Sequence, residues 1–522
     1  MSKQTFLKGT IILIVAGLIT RILGFINKIV VARIMGAEGV GLYMMAVPTL
    51  LLVITITQLG LPVAISKLVA EAEAVSDRRK IKRILIVSLT VTGILSIVFT
   101  IAMIAFAPVI ASTLLTDERA YYPLIAIAPI VPIVALSSVL RGYFQGRQNM
   151  RPTAYSQVIE QGVRITLVAV MTTAFLPYGV EYAAAGAMAS VVIGELASLC
   201  FMMFMFKTKK RIRIRTNFLS YLREGKKTFN ELMGIALPTT GSRLIGSLSF
   251  FFEPIVVAQS LAIAGVATVV ATKQYGELAG FAIPLLLLPT FITYSLSVSL
   301  VPAISEAAAN KHYQTIHFRL GQALRIALIS GGISVVVLYV FATPIMELMY
   351  DAPQVATYLK IMAPFSIFLY FQGPLQATLQ ALNLAKAAMM NSLFGAVVKI
   401  AAIFVLASRP EMGIMGAALA IVIGFVLVTL LHFASVVKTI SFTLHIRELL
   451  KVFLVMIITG VVGYFIYDYT KQSMGLLSST TLSITITTII YGLLLIAFSL
   501  VRKEEMKRIP VIGTHISKFL KQ

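Results

Sequence analysis

Hydrophobic runs of about 20 residues recur from one end of the chain to the other, separated by short polar or basic segments. An α-helix of that length crosses the hydrocarbon core of a bilayer, whereas the strands of a barrel would alternate over about ten residues. The pattern predicts an all-α, polytopic membrane protein with 14 transmembrane helices. No small-residue cleavage site follows the first run, residues 9–35, which favours a retained helix over a removed signal peptide.

Composition agrees with a membrane protein and locates its charges. Hydrophobic residues make up 58% of the chain and charged residues 12%, too little polar surface for a soluble globule of 522 residues. If the N-terminus is cytoplasmic, 30 of the 44 Lys and Arg residues lie in inner loops and tails and 5 in outer loops. This asymmetry follows the positive-inside rule, so the net charge of +23 indicates topology and no nucleic-acid partner. We expect a multi-pass protein of the cell membrane with both termini in the cytoplasm.

Nine cations lie within the apolar spans or at their edges, and Arg21 falls near the middle of the first one. Helical periodicity places Arg21 and Lys28 on one stripe with Gly17 and Gly24, glycines that permit close approach of a neighbouring backbone. A guanidinium at the bilayer centre costs about 3 kcal/mol, so Arg21 either faces a water-lined cavity or pairs with a carboxylate. The nine are Arg21, Lys28, Arg33, Lys67, Arg141, Arg164, Arg243, Arg325 and Lys399.

The order of motifs in the first part of the chain returns about 230 residues later, which predicts an internal duplication. Six helices in each copy give two lobes related by a pseudo-twofold axis along the membrane normal, with the substrate pathway between them. We name residues 1–206 the first repeat and residues 231–436 the second repeat. A basic linker (207–230), two extra helices (446–501) and a tail (502–522) complete the predicted organisation. The matched pairs are Arg21 and Arg243, Ser66 and Ser305, Pro129 and Pro364, Arg164 and Lys399, and Gly194 and Gly424.

Several motifs resemble the polysaccharide-exporter branch of the multidrug/oligosaccharidyl-lipid/polysaccharide superfamily. They are Thr20-Arg-Ile-Leu-Gly-Phe, Val31-Ala-Arg-Ile-Met-Gly, Gly39-Val-Gly-Leu-Tyr and Gly60-Leu-Pro-Val-Ala-Ile-Ser. More narrowly, Leu140-Arg-Gly-Tyr-Phe-Gln-Gly and Thr172-Thr-Ala-Phe-Leu-Pro-Tyr-Gly resemble a sporulation branch of that family. The resemblance covers nearly the whole chain and implies a carrier, not an enzyme, that serves the building of spore cortex peptidoglycan.

The resemblance also implies a substrate and some of the residues that meet it. The substrate class is an undecaprenyl-pyrophosphate-linked glycan, and the helix 1 arginine of the family corresponds to Arg21, with the following Ala-Arg at Ala32-Arg33. The related lipid II flippases have Arg-Asp where this chain has Asn27-Lys28, and an arginine of their helix 8 corresponds to Glu277. The two extra helices would border a groove for the lipid tail. Membrane lipids and enzymes of peptidoglycan synthesis are the partners that such a role implies.

The chemistry of such a substrate suits the buried cations. Its anionic head cannot cross hydrocarbon unaided, whereas its tail never has to leave the membrane. Arg21, Arg164, Arg243 and Lys399 would form a cationic cradle in which arginine binds phosphate in a bidentate way and lysine acts as a point charge. Lys28, Arg33 and Arg141 would extend this cradle towards the two mouths of the pathway.

Other interpretations of these charges stay open. Glu160 stands four residues before Arg164, so the two could neutralise each other on one helix, whereas the position equivalent to Glu160 beside Lys399 is Gly395. Lys67, Arg141 and Arg325 could instead extend to the cytoplasmic headgroups. The remaining acidic residues of the apolar spans could neutralise cations or carry coupling protons or sodium; they are Glu195, Glu253 and Glu277.

Two other functions compete with a flippase. A cation-coupled multidrug antiporter would need an acidic cavity, which Glu253 and Glu277 could supply, although the matched cations argue against it. A membrane-embedded glycan polymerase would need catalytic carboxylates and a sizeable outer loop, and the outer loops are short. The single Cys200 and the five histidines lack the spacing of metal ligands, so we expect neither a metal site nor a cofactor.

Overall fold

All regular structure in the described part of the chain is helical. The computed structural model describes residues 6–208, 221, 225–443 and 446–500. Thirteen stretches of them are long and apolar enough to cross a membrane. The all-α membrane fold is therefore confirmed, as expected for a bilayer in which each helix satisfies its own backbone polar groups. The predicted tail, 502–522, and most of the predicted linker, 207–230, lie outside the described residues.

The first helix, α1 (Phe6–Gln58), consists of two helices joined at Gly36. Gly36 has φ 66° and ψ −176°, a conformation that glycine adopts without strain. The hydrophobic run over residues 9–35 suggests that the first helix ends there, but the chain is helical again from residue 37. The apolar stretch Ala16–Ala74 is 59 residues long, more than twice the length of about 20 that one crossing needs. Division at Gly36 would give 14 crossings, a number that stays a prediction.

Contacts group the chain into two compact units, of which unit 1 comprises Met1–Gly280 and Ile400–Ala417. In unit 1, α6 packs along both α7 and α1, and α8 packs against α1 and α2. After α1, its helices are α2 (Leu61–Ala74), α3 (Arg78–Val109), α4 (Tyr121–Ile127), α5 (Ile130–Gly146), α6 (Arg151–Phe175), α7 (Val180–Thr208), α8 (Lys226–Ile263) and α9 (Thr268–Tyr275).

Unit 2 comprises Phe281–Lys399 and Ala418–Gln522 and contains the two extra helices, α18 and α19. These pack against each other and against α12, where the Tyr491 hydroxyl of α19 donates a hydrogen bond of 2.9 Å to the Ile329 carbonyl. The helices are α10 (Ile283–Leu287), α11 (Thr290–Ala309), α12 (Tyr313–Val340), α13 (Ala342–Tyr350), α14 (Ala356–Met362), α15 (Ser366–Ala381), most of α16 (Ala385–Ala407) and of α17 (Gly413–Ile440), α18 (Ile446–Thr470) and α19 (Leu476–Ala497).

The backbone repeats itself at a constant spacing, which supports the predicted duplication. Left-handed backbone is uncommon for residues other than glycine, yet three such residues of the first repeat return 235 positions later. Helix α4 likewise begins and ends 235 residues before α14, and α3 begins 235 residues before α12. The lobe boundaries themselves stay a prediction. The left-handed pairs are Ser76 and Lys311, Thr116 and Asp351, and Gln148 and Asn383.

A buried polar cluster ties together the turns at one end of unit 1. Asp117, between α3 and α4, is 3% exposed and accepts hydrogen bonds from Nε and Nη2 of Arg119 at 3.0 and 2.9 Å and from the Thr272 hydroxyl of α9 at 2.7 Å. Arg119 also pairs with Glu38 of α1. Beside this cluster α1 and α9 touch closely, since a Cβ on Gly41 would clash with the Thr272 carbonyl. We name Glu38, Asp117, Arg119 and Thr272 the turn cluster.

The turn cluster holds Asp117 in its charged form. Burial alone would raise the pKa of Asp117, but the hydrogen bonds from Arg119 and Thr272 and the charge of Arg119 outweigh it, so the pKa lies below its ordinary value. A depressed pKa adds stability that is present above the unfolded-state pKa of about 3.9 and is lost as the pH falls through the folded-state pKa.

Replacing the carboxylate of the turn cluster should therefore lower stability in a pH-dependent way. We expect Asp117→Asn to lower the free energy of unfolding by about 1–3 kcal/mol at neutral pH, because buried donors of Arg119 and Thr272 lose a charged acceptor. The difference in melting temperature between wild type and variant, measured in detergent, should shrink below about pH 4.

The matched control for this variant is Asp468→Asn, because Asp468 forms an exposed pair with Lys471 and such pairs contribute little. Equal changes in melting temperature for the two variants, or a deficit of Asp117→Asn that does not depend on pH, would contradict the role assigned to the turn cluster.

Candidate functional site

Helix α1 carries Arg21 in an apolar stretch, as predicted, and the glycines of its stripe permit an approach that no described helix makes. Among the described residues, nothing lies within 4 Å of a Cβ built on Gly17, and the neighbour of one built on Gly24 is the Gln161 side-chain oxygen of α6 at 3.9 Å. Arg21 is exposed and Lys28 is partly buried. Arg21 therefore lies on a stripe of α1 whose glycines leave open space.

Two amides next to these cations were not predicted as site residues. Asn27 is 6% exposed and precedes Lys28, and Gln161 stands between Glu160 and Arg164. Within the described residues, the side-chain oxygens of Asn27 and Gln161 are buried and accept no hydrogen bond. The signal in the sequence was a polar amide inside an apolar span, where an unpartnered acceptor carries a free-energy cost.

Arg141 of α5 pairs with a buried carboxylate. Its Nη2 donates to Oε1 of Glu195 of α7 at 2.6 Å, and Glu195 is 4% exposed. Three interpretations of Arg141 were open: contact with substrate, extension to the headgroups, and pairing with an acidic residue. The structure shows the pairing, within unit 1. Breaking such a buried pair on one side leaves an uncompensated charge, which is strongly destabilising.

Arg164 and Glu160 form the intrahelical pair that their spacing allows. The Arg164 Nη2 lies 3.2 Å from the Glu160 Oε1, and both side chains are largely buried. Glu160 also interacts electrostatically with Glu195, so the two pairs form one group of two arginines and two carboxylates. The charges of this group cancel when both carboxylates are ionised. We name Arg141, Glu160, Arg164 and Glu195 the balanced cluster.

Arg243, the counterpart of Arg21, is exposed on α8. One turn further on, the Ser247 hydroxyl forms a hydrogen bond of 2.7 Å with the Thr55 hydroxyl of α1, so α8 is fixed against the second part of α1. Among the described residues, no carboxylate pairs with Arg243 or with Lys28. These two cations therefore differ from Arg141 and Arg164.

The other predicted site residues are spread over both units. Arg33 is exposed on α1, and Lys399 is partly buried on α16. Glu253 of α8 and Glu277 are 7% and 5% exposed, and Glu277 lies in the π-helical turn Gly276–Ala282. Each of these four interacts with at least one other group. In the described part of the chain, no three His, Cys, Asp or Glu side chains converge as metal ligands would.

Comparisons with known proteins agree with this architecture. A family model described as Polysaccharide biosynthesis protein matches residues 6–308, and one described as MatE matches residues 254–405. Stage V sporulation protein B of Bacillus subtilis (strain 168) is 62% identical over 515 residues, which are 98% of this chain and 99% of that protein.

More distant relatives extend the likeness. Lipid II flippase MurJ of Bacillus subtilis (strain 168) is 24% identical over 500 residues, 89% of this chain and 90% of that protein. A solved structure of lipid II flippase MurJ in an inward closed conformation aligns with a TM-score of 0.68, covering 93% of this chain and 98% of that one. At 17% identity, the structural likeness shows the fold alone. The chain therefore belongs to the polysaccharide biosynthesis protein family.

Proposed function

We propose that the protein is a flippase that moves undecaprenyl-pyrophosphate-linked precursors of the cell envelope, and of spore cortex peptidoglycan in particular, across the cytoplasmic membrane. The observation that carries the proposal is the exposure of Arg21 and Arg243 on apolar helices. Arg21 interacts with at least one other group, and no carboxylate pairs with Arg243 among the described residues. A guanidinium facing lipid at mid-bilayer would cost about 3 kcal/mol or more, so an exposed position on an apolar helix suits a water-lined path for an anion. The names of the relatives, a stage V sporulation protein and a lipid II flippase, support the same substrate class.

The geometry supports a division of the predicted cations into two groups. Arg141 and Arg164 belong to the balanced cluster, so their charges are largely used within the protein. Arg243 and Lys28, with which no described carboxylate pairs, would meet the pyrophosphate head, and we propose the same for Arg21, Arg33 and Lys399, each of which also interacts with at least one group of the protein. Arginine offers paired donors to phosphate oxygens and lysine a compact charge.

The direction of movement follows from charge and topology. We propose that both termini are cytoplasmic, because the basic loops then lie inside. Moving two negative charges from a negative interior to the outside yields about 5 kcal/mol per 100 mV. We propose that the lobes rock about the cations to expose them to each side in turn, so the potential alone would favour export.

A second candidate is a cation-coupled multidrug antiporter of the same superfamily. The buried Glu277 favours it, and the MatE model covers that residue. An acidic cavity would suit a cationic drug, whereas the exposed arginines Arg21 and Arg243 would repel one. We therefore retain the flippase as the better-supported function.

Flipping in proteoliposomes tests the main proposal. We expect Arg21→Ala and Arg243→Ala each to slow outward movement of a fluorescent undecaprenyl-pyrophosphate-linked disaccharide by about tenfold or more, because a charged phosphate contact of about 1.5–3 kcal/mol is lost. Transport of a cationic dye serves as the comparison substrate, and Lys471→Ala, at an exposed loop pair, serves as the control variant.

Normal flipping by both well-folded arginine variants would remove these residues from the site. Transport of the cationic dye without movement of the lipid-linked disaccharide would replace the flippase by the antiporter.

The balanced cluster should behave as structure more than as a substrate site. We expect Arg141→Met or Glu195→Met alone to lower the free energy of unfolding by about 3–5 kcal/mol, because each leaves a buried charge uncompensated, and the double variant to recover most of it. Melting temperature and flipping rate measure the two effects. A double variant that is as stable as wild type but cannot flip the disaccharide would show that Arg141 meets the substrate.

A further inference from the structure

The same contact recurs in the two repeats: a cation on one helix lies against a glycine of the next helix. In unit 2, the Cβ, Cγ and Cδ atoms of Lys399 each lie 3.2 Å from where a Cβ on Gly424 would be. In unit 1, a Cβ on Gly194 would lie 3.3 Å from the Arg164 Cβ and 3.0 Å from the Glu160 carbonyl oxygen. Both members of each contact are matched by the duplication.

These spaces are tight for any side chain larger than hydrogen. Real Cβ atoms rarely approach other atoms within 3.0–3.4 Å, so an alanine at Gly424 would make the Lys399 stem shift by a few tenths of an ångström, and an alanine at Gly194 would make α6 shift by a similar amount. The contact with Lys399 involves more of the side chain than the contact with Arg164, because three carbons of the lysine stem lie against Gly424. A lysine stem confined in this way loses rotamer freedom before any ligand arrives.

We propose that Gly424 is a positioning residue that fixes where Lys399 presents its charge, whereas the equivalent Gly194 packs against α6 beside the balanced cluster. This inference rests on the proposed function, because Lys399 is one of the cations assigned to the pyrophosphate head. A carrier that holds an anion with long, flexible side chains must order them at each cycle, and ordering them in advance lowers that entropic cost. The glycine supplies this order by leaving a groove on the neighbouring helix for the stem.

Ordinary helix packing is the competing explanation for Gly424. Gly395, in the same pair of helices, is an example of ordinary packing. The three atoms nearest to a Cβ there all belong to Val428, with whose side chain it would clash. Small residues of this kind allow membrane helices to approach each other. Alanine at Gly395 should therefore perturb α16 and α17 independently of Lys399, and it provides the matched control.

A double-mutant cycle separates positioning from packing. We expect Gly424→Ala and Lys399→Ala each to lower the ratio of maximal flipping rate to apparent KM for the fluorescent undecaprenyl-pyrophosphate-linked disaccharide on the order of tenfold. The double variant should be no worse than Lys399→Ala alone, within about twofold, because the glycine acts through the lysine. Gly395→Ala should lower the melting temperature. Its loss in flipping rate over apparent KM should multiply with the loss caused by Lys399→Ala.

Lys399→Arg gives a second test in case Gly424→Ala does not fold, because it keeps the charge and changes the stem that lies against Gly424. We expect a lower rate, and a full rate for this variant would overturn the positioning role. If all variants fold and the double variant loses the product of the two single-variant losses in flipping rate over apparent KM, the positioning role of Gly424 is overturned. The proposed flippase function is not affected by that result. A full rate for Lys399→Ala would overturn both this inference and the assignment of Lys399 to the substrate site.

Discussion

The cost of holding charge in a medium that cannot solvate it governs this structure. A bilayer offers no water to an ionised side chain, so each charge in an apolar helix needs a partner, a water-lined surface or a ligand. The balanced cluster takes the first solution, with Arg141 paired to Glu195 at 2.6 Å and Arg164 to Glu160 at 3.2 Å. The exposed Arg243, with which no carboxylate pairs among the described residues, takes a different solution. We propose that the distribution of partners, and not the number of cations, distinguishes residues that hold the fold from those that meet a substrate.

The two repeats share a backbone but not this distribution. Left-handed turns and helix starts return at a spacing of 235 residues, and Lys399 replaces Arg164 against an equivalent glycine. The carboxylates are not repeated, since Gly395 stands at the position of Glu160 and Phe425 at that of Glu195. The same helical frame therefore carries a neutral group in one repeat and a different electrostatic environment in the other. A duplication conserves geometry through packing, while single substitutions change the charge that this geometry presents.

The sequence predicted the helices and the duplication because hydrophobic runs and motif spacing record them directly. It also predicted the pair of Glu160 with Arg164, which are one helical turn apart. It could not predict that Arg141 meets Glu195, because 54 residues separate them and their approach depends on how α5 packs against α7. Nor could it predict the turn cluster, whose members come from α1, from α9 and from the connection between α3 and α4. Nor could it tell whether a helix approaches Gly17, because glycine permits contact without requiring it.

A carrier must also let its cargo go. An anion surrounded by many uncompensated cations in a low dielectric would be held too strongly to leave, since binding must be favourable enough for entry yet weak enough for release. Neutralising Arg141 and Arg164 with buried carboxylates reduces the net attraction in the first repeat while keeping the guanidinium groups in place. Binding then depends on fewer cations, so the position of each one matters more. We propose that the glycine beside Lys399 provides such positioning. In this interpretation the internal ion pairs set an upper limit on affinity, and turnover depends on that limit as much as on the cations that bind.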